Sequence, residues 1–229
     1  MKNKKVSIII TCYNYGKYVE NAIKSALNQT YSDIEIIIIN DGSVDNSSDI
    51  IKTYADKYKN ILFFDERENR GVVYSRNMGI EASRGDYILP LDADDTIEPE
   101  YVEKAVKILN ENPKVGVVYC KYKIFGDDEL QINNSKFCAK ELLFDNYIIS
   151  SSMFRKKDFL NIGKYCEVFN NIGCEDWDLW LSFAEKGFKF YCINEYLFNY
   201  RKTKNNKSRS LFLFNFTKEA QLAESVLSF

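Results

Sequence analysis

Short apolar runs alternate with amphipathic stretches through the first 120 residues, and this rhythm limits the possible folds more than any other feature. The runs are VSIIITC (Val6–Cys12), IEIIIIN (Ile34–Asn40), ILFFDE (Ile61–Glu66), DYILPL (Asp86–Leu91) and VGVVYC (Val115–Cys120). Most are rich in β-branched residues and apolar almost throughout, so each predicts a strand buried on both faces. Between them, YVENAIKSALNQ carries Val19, Ile23, Ala26 and Leu27 at helical spacing, and DGSVDNSSDIIKTYADKY reads as a turn running into a helix. GVVYSRNMGIEAS and EPEYVEKAVKILNEN predict two further helices, the second stopped by Pro113. Doubly buried strands separated by amphipathic helices predict an α/β fold, a mostly parallel central sheet with helices on both faces.

After Cys120 the rhythm breaks. KYKIFGDDELQINNSKF reads as a hairpin or extended loop, followed by a short helix and by IISSSMF as a strand. GCEDWDLWLSFAEKG reads as a helix, then KFYCI and YLFNYR as two short strands. In that helix Trp177, Trp180, Leu181 and Ala184 fall on one face and are expected to be core. No linker rich in Pro, Gly or Ser divides the halves, so residues 1–229 read as one domain with a mixed second half and a terminal helix over 211–229.

Apolar content of 45% and a net charge of −2 exclude a disordered chain and an electrostatic nucleic-acid binder. The six cysteines lack a C-x-x-C pair, which argues against a zinc site and for reduced thiols in a cytoplasm. The opening MKNKKVSIIITCYNYG is basic and then apolar, but the run is short and β-branched, as a strand is and a signal peptide is not. There is no histidine, so base chemistry near neutral pH falls to Asp, Glu, Lys, Tyr or Cys, and a hard-metal site must use oxygen.

Ligands in such sheets bind beyond the carboxyl ends of the strands. Thr11, Tyr13 and Asn14 follow the first strand, and Asn40, Asp41 and Ser43 the second. Glu68, Asn69 and Arg70 follow the third, and Asp92, Asp94 and Asp95 the fourth. Three adjacent carboxylates repel unless something neutralises them. Either the D-x-D of Asp92-Ala93-Asp94 binds a divalent cation that also takes phosphate oxygens, or the turn is solvated and caps the next helix through Thr96 or Asp95. An EF-hand loop is excluded because Ile97 stands where glycine is needed. DADDT also fits the nucleophile motif of haloacid-dehalogenase-type phosphatases, with Asp92 phosphorylated, but that motif ends a first strand and this one ends a fourth. Glu175 and Asp176 open a helix, where its dipole favours acids, and a carboxylate beside a cleft can take a proton from a hydroxyl.

Together, VSIIITCYNYGKYVENAIKSALNQTYSDIEIIIINDGSVDNS, ENRGVVYSRNMGIEASRGDYILPLDADD and GCEDWDLWL closely resemble the family 2 glycosyltransferases of the GT-A fold, over about residues 6–201. The resemblance implies a nucleotide-binding half over about 1–120 and an acceptor-side half over about 121–210. It implies Thr11 and Tyr13 beside the base, Asp41 accepting a base N–H, and Arg70 and Arg76 as candidates for base or pyrophosphate contact. Asp92 would hold the ribose or metal-bound water, and Asp94 would ligate Mg²⁺ or Mn²⁺. Asp176 would be the catalytic base, with Glu175 orienting the acceptor. The implied activity is inverting, metal-dependent transfer from a nucleotide sugar, UDP-linked, to a glycan or lipid-linked hydroxyl in cell-surface polysaccharide or glycolipid synthesis. A non-catalytic nucleotide-sugar-binding subunit of a transferase complex is the alternative.

The sequence departs from the family pattern at YRKTKNNKS, where many relatives carry a histidine and Thr203 stands here. The basic residues of that segment and the following LFLFNF read as a solvated loop and packing helix, or as a peripheral membrane contact through 201–216. The chain is short for the family, which leaves room for a partner on the acceptor side.

Overall fold

The structure, a computed structural model, describes residues 5–133, 136–170 and 173–203. The elements run β1 (Val6–Cys12), α1 (Val19–Leu27), β2 (Ile34–Asp41), α2 (Ser47–Lys57), β3 (Ile61–Glu66), α3 (Val72–Ala82), β4 (Tyr87–Asp92), β5 (Thr96–Ile97) and α4 (Tyr101–Glu111). The second half adds β6 (Val115–Gly126), β7 (Leu130–Ile132), α5 (Ala139–Leu142), β8 (Met153–Arg155), α6 (Lys156–Ile162), α7 (Glu175–Glu185) and β9 (Lys189–Lys202), with a 3₁₀ turn at Glu167–Phe169.

The strands form one sheet in the order β3-β2-β1-β4-β8-β6-β9-β5, with β7 paired to the outer part of β6. β3, β2, β1 and β4 are parallel neighbours, β8 runs against both β4 and β6, and β6 and β9 are parallel. Ile8, Ile9 and Ile10 of β1 and Ile36, Ile37, Ile38 and Ile39 of β2 are all fully buried, although alternate side chains point to opposite faces. The sheet is therefore covered on both sides, which is why these strands show no polar alternation.

The parallel register aligns the strand ends that matter. Thr11 lies opposite Asp92, Cys12 opposite Asn40, and Asn40 opposite Asp65. One edge of the sheet is thus polar across four strands. Gly42 follows β2 at φ 68°, and a Cβ there would lie 2.5 Å from the Glu68 carbonyl carbon. Only glycine lets the β2 and β3 loops approach this closely.

Three expectations for the second half change. IISSSMF yields a strand only at Met153–Arg155, because Ser152 N–H and Oγ–H donate back to the carbonyls of Ser150 and Ile149 and close a local turn. KFYCI and YLFNYR are one strand, β9, interrupted by a bulge: Ile193 pairs with Cys120 and Tyr196 with Lys121, leaving Asn194 and Glu195 as extra residues. The core stripe of α7 is Glu175, Leu179, Trp180 and Phe183, while Trp177, Leu181 and Ala184 pack only partly buried against its margin. The helix is rotated from its apolar pattern because Glu175 has a buried cationic partner.

That second half is anchored by a buried arginine. Arg155 Nη1 donates to the Val115 carbonyl at 2.6 Å and Nη2 to the Asn112 carbonyl at 3.2 Å, satisfying groups at the start of β6 and the end of α4. The expected terminal helix over 211–229 lies outside the described residues. No helix among the described residues is long and apolar enough to cross a membrane.

Candidate active site

The loops after β1 and β2 are fastened to each other. Asn14 takes a left-handed conformation, φ 58°, in which its N–H donates to Ser43 Oγ and its Oδ1 accepts the Val44 N–H, both at 2.9 Å. Asp45 accepts the Gly16 N–H at 2.9 Å and the Ser47 N–H at 3.0 Å, tying the first loop to the start of α2. Tyr13 remains at the lip of this frame, 44% exposed, whereas Thr11 is buried and donates to Asp92 Oδ1 at 3.4 Å.

Asp41 is buried, and its two oxygens accept the Arg70 N–H at 2.8 Å and the Gly71 N–H at 2.9 Å. It therefore holds the N-terminus of α3, where the helix dipole favours a negative charge. A carboxylate has about four acceptor positions, so a further donor must use the lone pairs that remain. The Arg70 side chain stays exposed, its guanidinium stacked 3.6 Å from the Tyr74 ring centroid.

Arg76 has a different position. It is only 2% exposed, and it bridges two carboxylates: Nη2 meets Asp92 Oδ1 and Nη1 meets Glu175 Oε1, each at 2.7 Å. Its guanidinium also lies 5.6 Å from the Tyr165 ring centroid. Burial alone would ease its deprotonation, but Asp92 and Glu175 outweigh that and hold its pKa well above the ordinary value. Arg76 thus reaches the polar strand-end edge through Asp92. It also joins the end of β4 to the start of α7, with Arg76 and Glu175 99 positions apart in the chain.

The three aspartates lie where the sheet rule puts them, and their environments differ. Asp92 keeps a partly exposed side chain held by Arg76. Asp95 is buried, accepts the Arg201 N–H at 2.7 Å, and is pushed well above the usual carboxylate range by burial and by Asp94 and Asp92. Asp94 is buried too, and burial with the Asp92 charge raises it to about 6, with Arg201 and a Tyr15 hydrogen bond working the other way. Arg201 Nε donates to the Asp94 carbonyl at 2.9 Å, with its guanidinium between the rings of Tyr18 and Phe125 at 4.5 and 4.2 Å. Arg201 and Lys202, at the start of the basic segment, are therefore part of the fold, Lys202 pairing with Asp128. The rest of the expected membrane contact, beyond Thr203, lies outside the described residues.

This chemistry fits a divalent cation of the hard type. Carboxyls whose ionisation is resisted by burial and by one another mark negative charge that the surrounding cations do not balance. No group of three or more His, Cys, Asp or Glu that could hold a metal occurs among the described residues. The fit is to an ion that takes one or two carboxylates and completes its shell with phosphate and water, as Mg²⁺ does.

Asp176 is the second poised acid. Burial and the neighbouring Glu175 raise it to about 6, while Arg76, Asn146 and the Trp177 N–H pull it down. Asn146 Nδ2 donates to its Oδ2 at 3.2 Å and the Trp177 N–H to its Oδ1 at 2.8 Å. Tyr15, Asn146 and Arg201 are site residues whose places the sequence pattern did not reveal. Tyr15 carries the weak signal of an aromatic in the first strand-end loop, and Asn146 has none beyond being a polar residue before an apolar run.

The family model for glycosyl transferase family 2 matches residues 7–174, more than half of the sequence, and the chain belongs to that family. The uncharacterized glycosyltransferase MJ1057 of Methanocaldococcus jannaschii is 32% identical over 211 residues, covering 88% of this chain and 72% of that one. Glycosyltransferase GlyG of Streptococcus pneumoniae is 27% identical over 224 residues, covering 90% and 74%. Other relatives are matched over less of their length, down to 35% for one from Bacillus subtilis and 22% for GlyA of S. pneumoniae. S. aureus TarS in complex with UDP-GlcNAc has a TM-score of 0.79 at 18% identity, covering 97% of this chain and 66% of that one. The mannosyltransferase PcManGT from Pyrobaculum calidifontis, in complex with GDP-Man and Mn²⁺, has a TM-score of 0.69 at 16% identity, covering 91% and 59%. The fold is therefore GT-A, as the motifs led us to expect, and the family assignment goes against the phosphatase reading of DADDT.

Proposed function

We propose that the chain transfers a sugar from a nucleotide sugar, UDP-linked, to a hydroxyl of a glycan or lipid-linked acceptor, with inversion at the anomeric carbon. The observation that carries this reading is the buried bridge Asp92–Arg76–Glu175, which keeps the D-x-D and the acid pair of α7 within one site. The bound UDP-GlcNAc of TarS and the GDP-Man and Mn²⁺ of PcManGT support a nucleotide-sugar donor and a divalent ion.

Asp94, with Asp92 beside it, would hold Mg²⁺ or Mn²⁺ together with the diphosphate. When bound, that ion offsets the negative charge developing on the leaving nucleoside diphosphate. Thr11 and Tyr13 line the base side, Asp41 and the exposed Arg70 stand at the α3 end of the same edge, and Asp92 faces the ribose. Asp176 takes the proton of the acceptor hydroxyl as the oxygen attacks the anomeric carbon from the face opposite the diphosphate. One base and one displacement give inversion. Glu175, held by Arg76, fixes the start of α7 on the acceptor side.

The test is sugar transfer by the isolated chain. Asp176→Asn should abolish transfer while leaving affinity for UDP nearly unchanged. Normal transfer by that variant would remove the base assignment. Donor binding without hydrolysis or transfer by the unaltered chain would favour a silent subunit.

A further inference from the structure

The start of α7 is fastened at two points, to the end of α5 and to the loop that follows it. The carbonyl of Leu142, the last residue of α5, accepts Trp177 Nε1–H at 2.6 Å. Four residues later Asn146 donates to Asp176. We infer that Asn146 is a positioning residue for Asp176, one that sets the plane of this carboxylate and favours its ionised form. The inference rests on the reading of Asp176 as the base.

Two donors, one on each oxygen, fix rotation about the Cβ–Cγ bond, and both oxygens keep lone pairs for an incoming hydroxyl. An ionised carboxylate only accepts, so the Asn146 amide must turn its NH₂ toward Asp176. This orientation leaves Asn146 Oδ1 buried with no hydrogen-bond partner among the described residues. A buried acceptor without a donor is unfavourable, so the Asp176 charge keeps the amide in this orientation. Once Asp176 has taken the acceptor's proton, the same amide can turn over and receive the new O–H, a role that a lysine, which only donates, could not fill in both states.

Other groups do not duplicate this arrangement. Nη1 and Nη2 of Arg76 meet Glu175 and Asp92, and the effect of Arg76 on Asp176 is that of its charge. Among the described residues Glu175 on the same helix, Cys174 before it and Tyr165 also interact with Asp176. Among the described residues Asn146 is the side chain that donates to this carboxylate.

The experiment compares transfer rate against pH for the full chain and for Asn146→Ala and Asn146→Asp, with UDP affinity measured in parallel. Losing a hydrogen bond to the charged form raises a carboxyl pKa, here by about one unit. In Asn146→Ala the acid limb should move up by about one pH unit, with rate falling about tenfold below pH 6 and largely recovered above pH 8. In the near-isosteric Asn146→Asp the added charge should move the limb further, and UDP affinity should hold in both. A limb that stays in its original place in both variants would overturn the inference. If Asp176→Asn is inactive and the limb still does not move, only the role of Asn146 falls; if Asp176→Asn transfers sugar, the base reading itself falls.

Discussion

Replacing Asp94 with asparagine should stabilise the metal-free protein and destabilise the loaded one. Burial and Asp92 raise the Asp94 carboxyl from 3.8 to about 6. A folded pKa above the unfolded value means that the fold favours the protonated group. Its contribution to stability is complete below about pH 4 and lost as pH rises through 6. Two pKa units at about 1.36 kcal/mol each make the charge at pH 7.5 a penalty of about 3 kcal/mol. Asparagine removes the charge but accepts fewer hydrogen bonds, leaving a net gain of about 2 kcal/mol. For a chain of this size that is a rise in Tm of about 4–8 °C. Adding Mn²⁺ and UDP at about one thousand times their dissociation constant should stabilise the unaltered protein by about 4.1 kcal/mol through mass action, and the variant, binding about a hundredfold more weakly, by about 1.4 kcal/mol. The order of the two melting curves should therefore reverse. Thermal denaturation with chelator, with Mn²⁺ and UDP, and at pH 7.5 and 4.5 provides the comparison. If the variant melts lower with chelator at pH 7.5, or the gap at pH 4.5 is as wide as at 7.5, the electrostatic argument is wrong.

Arg76→Met should cost about 3–5 kcal/mol in urea denaturation, because it leaves Asp92 and Glu175 facing each other without their shared cation; adding Asp92→Asn and Glu175→Gln should recover most of that loss. Gly79→Ala should cost about 1–3 kcal/mol by overpacking, since its Cβ would lie 2.6 Å from Ile39 Cδ1 and 2.7 Å from Ile9 Cγ2, where α3 crosses the sheet. Transfer by the unaltered chain should fall to half near pH 6 on the acid side, because Asp176 must be ionised to accept a proton and its carboxyl is raised to about 6. A rate that stays flat down to pH 4.5 would separate Asp176 from the chemistry.

The first half was legible because burial on both faces leaves a plain mark, unbroken runs such as Ile36–Ile39, and the sheet rule then brings Thr11, Asp41 and Asp92 to one edge. The second half was less legible because its strands take their shape from long-range pairing. Nothing local in KFYCINEYLFNYR announces that Asn194 and Glu195 form a bulge within one strand, since the bulge is defined against Cys120 and Lys121. The α7 stripe departs from its apolar spacing for a related reason. Apolar spacing assigns a charged residue to solvent, yet Glu175 faces inward because Arg76, distant in sequence, waits there. The same applies to Asn146 and Arg201, whose importance lies in their neighbours.

On the proposed reading, Asp94 and a nucleoside diphosphate would hold a divalent cation in one pocket with Asp176. Crystals grown with UDP and Mn²⁺ and measured at the manganese absorption edge test it directly. An anomalous peak should lie at the Asp94 carboxylate and the diphosphate, with the Asp176 side chain turned toward the same cavity. A peak elsewhere, or UDP bound with Asp176 facing a separate cavity, would contradict it.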